Sequence, residues 1–181
     1  KISFTYLEWN LEKQLVPRHD GRIYEVSPWA LTCKDENYYL IAHDSAEDRI
    51  KHFRVDKLGK IQVMQGTKRE GGELFERFDI ADYTNRTFGM YGGREAYVTI
   101  AFENRLIGVV LDRFGKDITI RKRDAEHFSV RVQVALSGQF YGWLTGLGEG
   151  ACLITPDEVK EEYSRYLAGV LALYRIRKEE A

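Results

Sequence analysis

The sequence predicts a two-part chain: a small all-β barrel followed by a split β-α-β, ferredoxin-like α/β layer. Three observations predict it. Between Lys1 and Val63, apolar residues alternate over short segments broken by turn residues, the pattern of short half-buried strands. After residue 95 strands interleave with segments of helical spacing. The length, 181 residues, exceeds the roughly 150 residues of one typical domain.

The elements follow in order. Lys1–Leu11 alternates, with Ile2, Phe4 and Tyr6 on one parity. His19-Asp20-Gly21 is a turn, and Arg22–Leu31 resumes an extended run. Lys34-Asp35-Glu36-Asn37 is a polar turn before a strand at Tyr38–His43. Asp44–Asp48 is a loop, Arg49–Val55 a strand, and Leu58–Val63 another after a short bend. Strands this short and close together bury their edges most simply by closing into a barrel. Gln65–Gly72 (QGTKREGG) reads as a linker or long loop, and Glu73–Asp82 as a short helix.

In the second part Ala96–Phe102 is a strand. Asn104–Phe114 is a helix, with Asn104 as its cap, Leu106, Val109, Val110 and Phe114 at helical spacing, and Gly115 at its end. Asp117–Arg121 and Ser129–Ala135 are strands flanking a hairpin region at Arg123–Phe128. Gly138–Leu147 is a helix, Leu153-Ile154 a short extended step, and Pro156–Tyr174 the strongest helix. Thr155 is its expected cap, Pro156 its first residue, and Asp157 and Glu158 suit its positive N-terminal end. The order β-α-β-β-α-β-α is that of a split βαβ layer. The expected domains are residues 1–73 and 74–181.

Composition excludes several classes. The chain is 44% hydrophobic and 13% aromatic with 3 Pro, enough to bury a core and unlike a disordered segment. Its 27 basic and 28 acidic residues leave a net charge of −1, so no overall field draws it to nucleic acid or to an anionic membrane. No apolar stretch is long enough to span a membrane, and the first eleven residues alternate rather than forming a signal peptide. Two cysteines are too few for a disulfide framework or a structural zinc site, which makes a reducing cytoplasm the expected compartment. Cys33 and Cys152 are expected to be small buried groups. A chain that opens on Lys1, inside a strand, is expected to be part of a longer or processed protein.

Enzyme motifs are missing: there is no HExxH, no CxxC, no phosphate-binding loop and no nucleophile elbow. Gly146-Leu147-Gly148-Glu149-Gly150 lacks the spacing of a nucleotide-binding turn and reads as a helix end. No cofactor is expected. Charge is nevertheless concentrated locally. Arg49–Lys60 holds five basic residues against Asp56, a local +4, with His52 in addition. Strand parity puts Tyr39, Ile41 and His43 on one face, and Ile50, His52 and Arg54 on one face of the next strand. Phenol, imidazole and guanidinium groups converging there would bind an anion, the rings stacking a base and the cations meeting phosphate. A solvated strand edge with protective charges is the structural alternative. Arg121-Lys122-Arg123 is a weaker basic cluster, read as a solvated hairpin tip. His43, Asp44 and His52 also suggest a rival, a small metal-dependent hydrolase.

Three segments carry a family resemblance: Tyr24-Glu25-Val26-Ser27-Pro28-Trp29-Ala30-Leu31, Tyr38-Tyr39-Leu40-Ile41-Ala42, and Lys51-His52-Phe53-Arg54-Val55-Asp56-Lys57-Leu58. Together they resemble the WYL domain of bacterial transcriptional regulators. Tyr38 stands where the family's Trp would be, with Tyr39 and Leu40 matching. Phe53, Arg54 and Asp56 match the basic run, in which Lys51 and Lys57 replace arginines and so lack the bidentate fork. Phe88-Gly89, Trp143-Leu144 with Leu147-Gly148, and Pro156 resemble the C-terminal extension often fused to that domain.

The resemblance implies an Sm-like, SH3-type β-barrel acting as sensor, followed by an α/β extension that contributes to dimerisation. It implies a ligand derived from nucleic acid, single-stranded DNA or a nucleotide, and operator DNA read by a winged helix-turn-helix outside this sequence. By position, Tyr39 would stack or hydrogen-bond, Arg54 and Lys51 would meet phosphate, and Ser27, His43 and His52 would line the pocket. Residues 51 and 54 differ in parity, so a flat strand cannot place both in one pocket without a bulge. The expected function is therefore a ligand-sensing homodimer without catalysis. The alternatives are the hydrolase and a purely structural interaction module.

Overall fold

The computed structural model describes residues 1–80, 83, 84, 87–90 and 92–174, and the chain divides into two units, Lys1–Tyr83 and Thr84–Ala181. In the first unit the opening alternation forms β1 (Ile2–Trp9). A three-residue strand, β2 (Leu15–Pro17), pairs with its far end; so short a strand shows no alternation to read. The expected turn at His19–Gly21 is a 3-10 turn with Asp20 at φ 53°. Then come β3 (Ile23–Lys34), β4 (Asn37–Asp44), β5 (Arg49–Arg54) and β6 (Leu58–Val63). β3 runs on to Lys34 because Asp35 and Glu36 both take positive φ, 49° and 62°, and turn the chain within two residues onto Asn37.

Hydrogen-bonded neighbours run β5-β4-β3-β1-β6, all antiparallel. The barrel expected from the sequence is not closed by pairing. The 3-10 turn Val55–Lys57 takes the chain off the β5 ladder and sends β6 back to β1, so β5 and β6 are not paired. The core under this sheet is Phe4, Val26, Leu40, Ala42 and Phe53. Phe4 stacks on Tyr24 at 5.6 Å and meets Phe53 edge-on at 5.1 Å. Each such ring or aliphatic side chain contributes about 1.5–3 kcal/mol by leaving water.

Pro28 explains a break in β3. Proline cannot donate to a ladder and is tolerated within a strand at a bulge. The β3–β4 register shifts there, from Pro28↔Ala42 to Ala30↔Ile41, leaving Trp29 as the extra residue.

Gln65–Gly72 is not a free linker. The Lys1 main-chain nitrogen donates to Thr67 Oγ1 at 3.3 Å, Arg69 Nη1 donates to the Pro28 carbonyl at 3.3 Å, and Glu70 N–H donates to Ser27 Oγ at 2.8 Å. Helix α1 (Gly72–Glu76) follows, shorter than the expected Glu73–Asp82, whose last two residues lie outside the described residues.

The second unit runs β7 (Arg94–Glu103), α2 (Ile107–Phe114), β8 (Ile120–Lys122), β9 (His127–Leu136), α3 (Gly138–Gly146), β10 (Ala151–Thr155) and α4 (Asp157–Leu173). The sheet order is β10-β7-β9-β8, antiparallel throughout. Even-numbered positions of β7 and β9 bury Val98, Ile100, Phe102, Val130, Val132 and Val134 with Val110 of α2 and Phe140 and Leu144 of α3.

Helix ends differ from expectation in two places, at Asn104 and Pro156. Asn104 opens a 3-10 turn and its side chain donates to the Ala125 carbonyl at 2.9 Å, so it does not cap α2. Ser137 Oγ accepts from Phe140 N–H and caps α3, a contact worth about 1 kcal/mol. Pro156 is the residue before α4 rather than its first, and it displaces Thr155 as cap. Cys33 and Cys152 are both exposed, because each ends up on an outward strand position rather than in a core. Gly146–Gly150 closes α3 and continues into a 3-10 turn, as read from the sequence.

Candidate ligand-binding site

The β3–β4–β5 registers decide which predicted residues share a face. Ser27 lies opposite His43, Thr32 opposite Tyr39, Tyr39 opposite Arg54, and Ile41 opposite His52. Residues directly opposite point the same way. Ser27, Tyr39, His43, His52 and Arg54 therefore occupy one face, with Leu40, Ala42 and Phe53 in the core on the other. The Tyr39 and His52 rings meet edge-on at 5.9 Å. Burial holds the Tyr39 phenol above its usual pKa, against the pull of Arg54.

Lys51 is not with them. The β4–β5 register is unbroken from Tyr39↔Arg54 to Asp44↔Arg49, so no bulge turns Lys51 toward Arg54. Its ammonium sits 2.7 Å from Asp44 Oδ2 and 2.6 Å from Glu47 Oε1. Burial alone would raise the Asp44 pKa. The bond from Lys51 and one from Ala46 N–H outweigh it and leave the carboxyl below its usual range. Glu47 is lowered too, chiefly by Lys51.

Arg54 sits at the rim. Its Nε and Nη2 grip Asp56 Oδ1 and Oδ2 at 2.9 and 2.7 Å, and its backbone N–H donates to the Tyr6 hydroxyl at 3.1 Å. The fork raises the Arg54 pKa and lowers that of Asp56. Both side chains are partly exposed, so the pair is worth roughly 1 kcal/mol or less and is open to exchange.

The same face is covered by the chain that follows β6. Trp29 stacks on Phe75 at 5.3 Å, Arg69 lies over the Trp29 ring at 4.3 Å, and Trp29 Nε1 donates to the Glu70 carbonyl at 2.9 Å. Phe75 stacks on Phe78 at 6.1 Å, Phe78 meets Tyr83 at 4.8 Å, and the Tyr83 hydroxyl shares a 2.5 Å hydrogen bond with His52 Nδ1. The Glu70 carboxylate is held by Lys1 Nζ and Ser45 Oγ, each at 2.6 Å, which lower its pKa. Gly71 abuts the His43 ring. His43 is buried with Nε2 3.0 Å from Asp48 Oδ1, while its Nδ1 has no hydrogen-bond partner among the described residues. Rings and carboxylates of the chain itself thus pack over this face and its rim.

The metal set suggested by His43, Asp44 and His52 does not assemble. Asp44 points to the other face and is held by Lys51, and no cluster of metal-binding side chains occurs among the described residues. A cavity of about 220 Å³ between Arg22–Glu25 and Asp44–Ala46 lies away from the predicted face and is smaller than the roughly 300 Å³ of ordinary small-molecule sites.

Trp29, Glu70, Phe75, Phe78 and Tyr83 escaped the sequence reading. Pro28 inside a long strand was the available signal for the bulge that frees Trp29, and Phe75 and Phe78, three apart, are spaced to share one side of a turn. No helix among the described residues is long and apolar enough to cross a membrane.

Comparison with known proteins agrees with this layout. The WYL domain matches residues 1–63 and the WCX domain residues 94–171. No curated protein matches significantly. Among solved structures, proteasome accessory factor B/C (PafBC) of Arthrobacter aurescens is similar at 15% identity and TM-score 0.42, over 97% of this chain and 25% of that one. A CRISPR Cas-related protein is similar at 10% identity and TM-score 0.31, over 96% of this chain and 48% of that one. The chain therefore spans a quarter of the first and about half of the second. With its two halves matched in that order, the chain belongs to the WYL-domain family and carries a WYL domain followed by a WCX domain.

Proposed function

We propose that this chain is the ligand-sensing and dimerisation portion of a bacterial, cytoplasmic transcriptional regulator. It binds an anionic ligand derived from nucleic acid, single-stranded DNA or a nucleotide, on the Tyr39–His52–Arg54 face. Binding modulates operator recognition by a winged helix-turn-helix domain of the same regulator. The carrying observation is the register that sets Arg54 directly across from Tyr39, with His52 beside them. A ring for stacking and a guanidinium for phosphate at one rim suit such a ligand. Lys51 falls outside the site because its charge is spent on Asp44 and Glu47.

The fold supports the finer assignment. Five of the six strands, β1 and β3–β6, with a 3-10 turn before the last, which returns to pair with the first, support reading the unit as an open Sm-like, SH3-type barrel. In the second unit the β-α-β-β-α-β order, with its fourth strand beside its first and its third beside its second, supports reading it as ferredoxin-like.

In this mechanism the ligand's phosphate takes Arg54 from Asp56. Its base replaces Tyr83 on His52, and Arg69–Ile80 moves off the face. The two positions of that segment are the two states whose populations the ligand shifts. Titration of fluorescein-labelled oligothymidylate by anisotropy tests the site. Arg54→Ala weakens binding by roughly tenfold or more, as expected for a lost charged hydrogen bond, and the wild-type affinity falls as salt rises. Equal affinities remove Arg54 from the site, and salt-independent binding removes the phosphate.

A further inference from the structure

We infer that the sheet face of the second unit turned away from α2 and α3 is a separate surface for single-stranded nucleic acid, with Tyr97 stacking a base and Arg131 and Arg121 meeting phosphates. The odd positions of β7 and β9 make this face, since the even ones fill the core. Across the sheet Tyr97 pairs with Gln133, Thr99 with Arg131, and Ala101 with Ser129, which in turn pairs with Arg121 of β8. Tyr97 is 58% exposed, unusual for an aromatic residue at the centre of a sheet. The Arg131 guanidinium lies 5.3 Å from its ring centroid. Among the described residues neither Arg121 nor Arg131 has a carboxylate partner, so both cations stay available.

The floor between them is flat. Ala101 and Ser129 are small and nearly buried, so neither projects between Tyr97, Arg131 and Arg121. No Leu, Ile or Val stands at the odd positions of β7 or β9, so the face carries no aliphatic patch. Glu95, accepting from Gln133 Nε2 at 2.8 Å, bounds the surface at one end. An exposed ring beside unpaired arginines on a four-stranded antiparallel sheet matches the stacking-plus-phosphate chemistry of single strands. The inference uses no residue of the β4–β5 face and stands or falls apart from it.

The test is photo-crosslinking of the full chain to oligothymidylate carrying 5-iododeoxyuridine, with the linked peptide mapped by mass spectrometry and affinity read by anisotropy. Tyr97 is expected to crosslink, in wild type and in Arg54→Ala alike. Tyr97→Ala and Arg131→Ala are each expected to weaken binding about tenfold, the range of one lost base stack, with Tyr97→Phe retaining it. Both changes are at exposed positions, so folding is not at stake. Crosslinks confined to β4 and β5, or unchanged affinity in Tyr97→Ala, overturn the inference. So does a Tyr97→Ala variant that dissociates a dimer while binding the oligonucleotide normally, because the face then belongs to a second copy.

Discussion

Gly71→Ala probes the segment over the candidate site with the least ambiguity. Gly71 has φ +77°, where a side chain costs about 1–2 kcal/mol. An added Cβ would sit 2.3 Å from His43 Cγ, 2.5 Å from Cδ2 and 2.6 Å from Cβ, closer than real Cβ atoms approach. The ring is 3% exposed and its Nε2 is held on Asp48, so it has little room to retreat. Overpacking of that kind costs about 1–3 kcal/mol. The combined cost, about 3 kcal/mol, falls on the docked state of Arg69–Ile80 alone. The segment detaches and the β4 core stays folded. Hydrogen exchange read by mass spectrometry checks it: amides of residues 69–76 exchange about a hundredfold faster, since 1.4 kcal/mol is tenfold, while those of β4 keep their protection. Gly66→Ala is the control, with φ +72° and nothing within 4 Å of its added Cβ, and loses only the backbone cost. In the same experiment oligothymidylate binds Gly71→Ala more tightly than wild type. Exchange in Gly71→Ala equal to that in Gly66→Ala refutes the packing argument.

Lys51→Met leaves Asp44, 3% exposed, with only its backbone donors and destabilises the first unit by about 2–3 kcal/mol in urea titrations, and adding Asp44→Asn restores most of that loss. Because the folded Asp44 pKa is depressed, its contribution is present above the ordinary carboxylate range and lost as pH falls through the folded value; the loss begins at higher pH in Lys51→Met, and coincident acid-unfolding curves contradict the pairing. Burial, then the bond to Glu162, pushes Tyr141 up to about 12. Its stabilising effect is therefore present below the unfolded value near 10 and lost as pH rises through about 12. Ultraviolet titration should show a late tyrosine that vanishes in Tyr141→Phe, with a loss of about 1–2 kcal/mol. Gly93→Ala puts a Cβ 1.9 Å from the Leu136 carbonyl oxygen and lowers the melting temperature of the second unit, whereas Gly92→Ala, in open space, leaves it unchanged.

Local chemistry made most elements legible. Short runs of aromatic and aliphatic residues bounded by polar turns located β4, β5 and β6 to within a residue or so. The parity argument grouped Tyr39, His43, His52 and Arg54 and flagged Lys51 as inconsistent with them, and the register then placed Lys51 with Asp44. What stayed hidden depends on contacts distant in sequence. QGTKREGG has the composition of a linker, and nothing local shows that Glu70 N–H bonds Ser27 or that Phe75 meets Trp29. Asn104 has a capping side chain, but the Ala125 carbonyl competes for it. Closure of the first sheet was inferred from strand length, whereas the turn at Val55–Lys57 leaves β5 and β6 unpaired.

The central claim is that a nucleic-acid ligand exchanges with the chain's own groups on the Tyr39–Arg54 face. Hydrogen exchange of the full chain with and without saturating oligothymidylate tests it most directly. The account predicts opposite changes: β4 and β5 gain protection around Tyr39 and Arg54, and Arg69–Ile80 loses it. Protection gained by Arg69–Ile80, or no change in β4 and β5 while the oligonucleotide is bound, contradicts it.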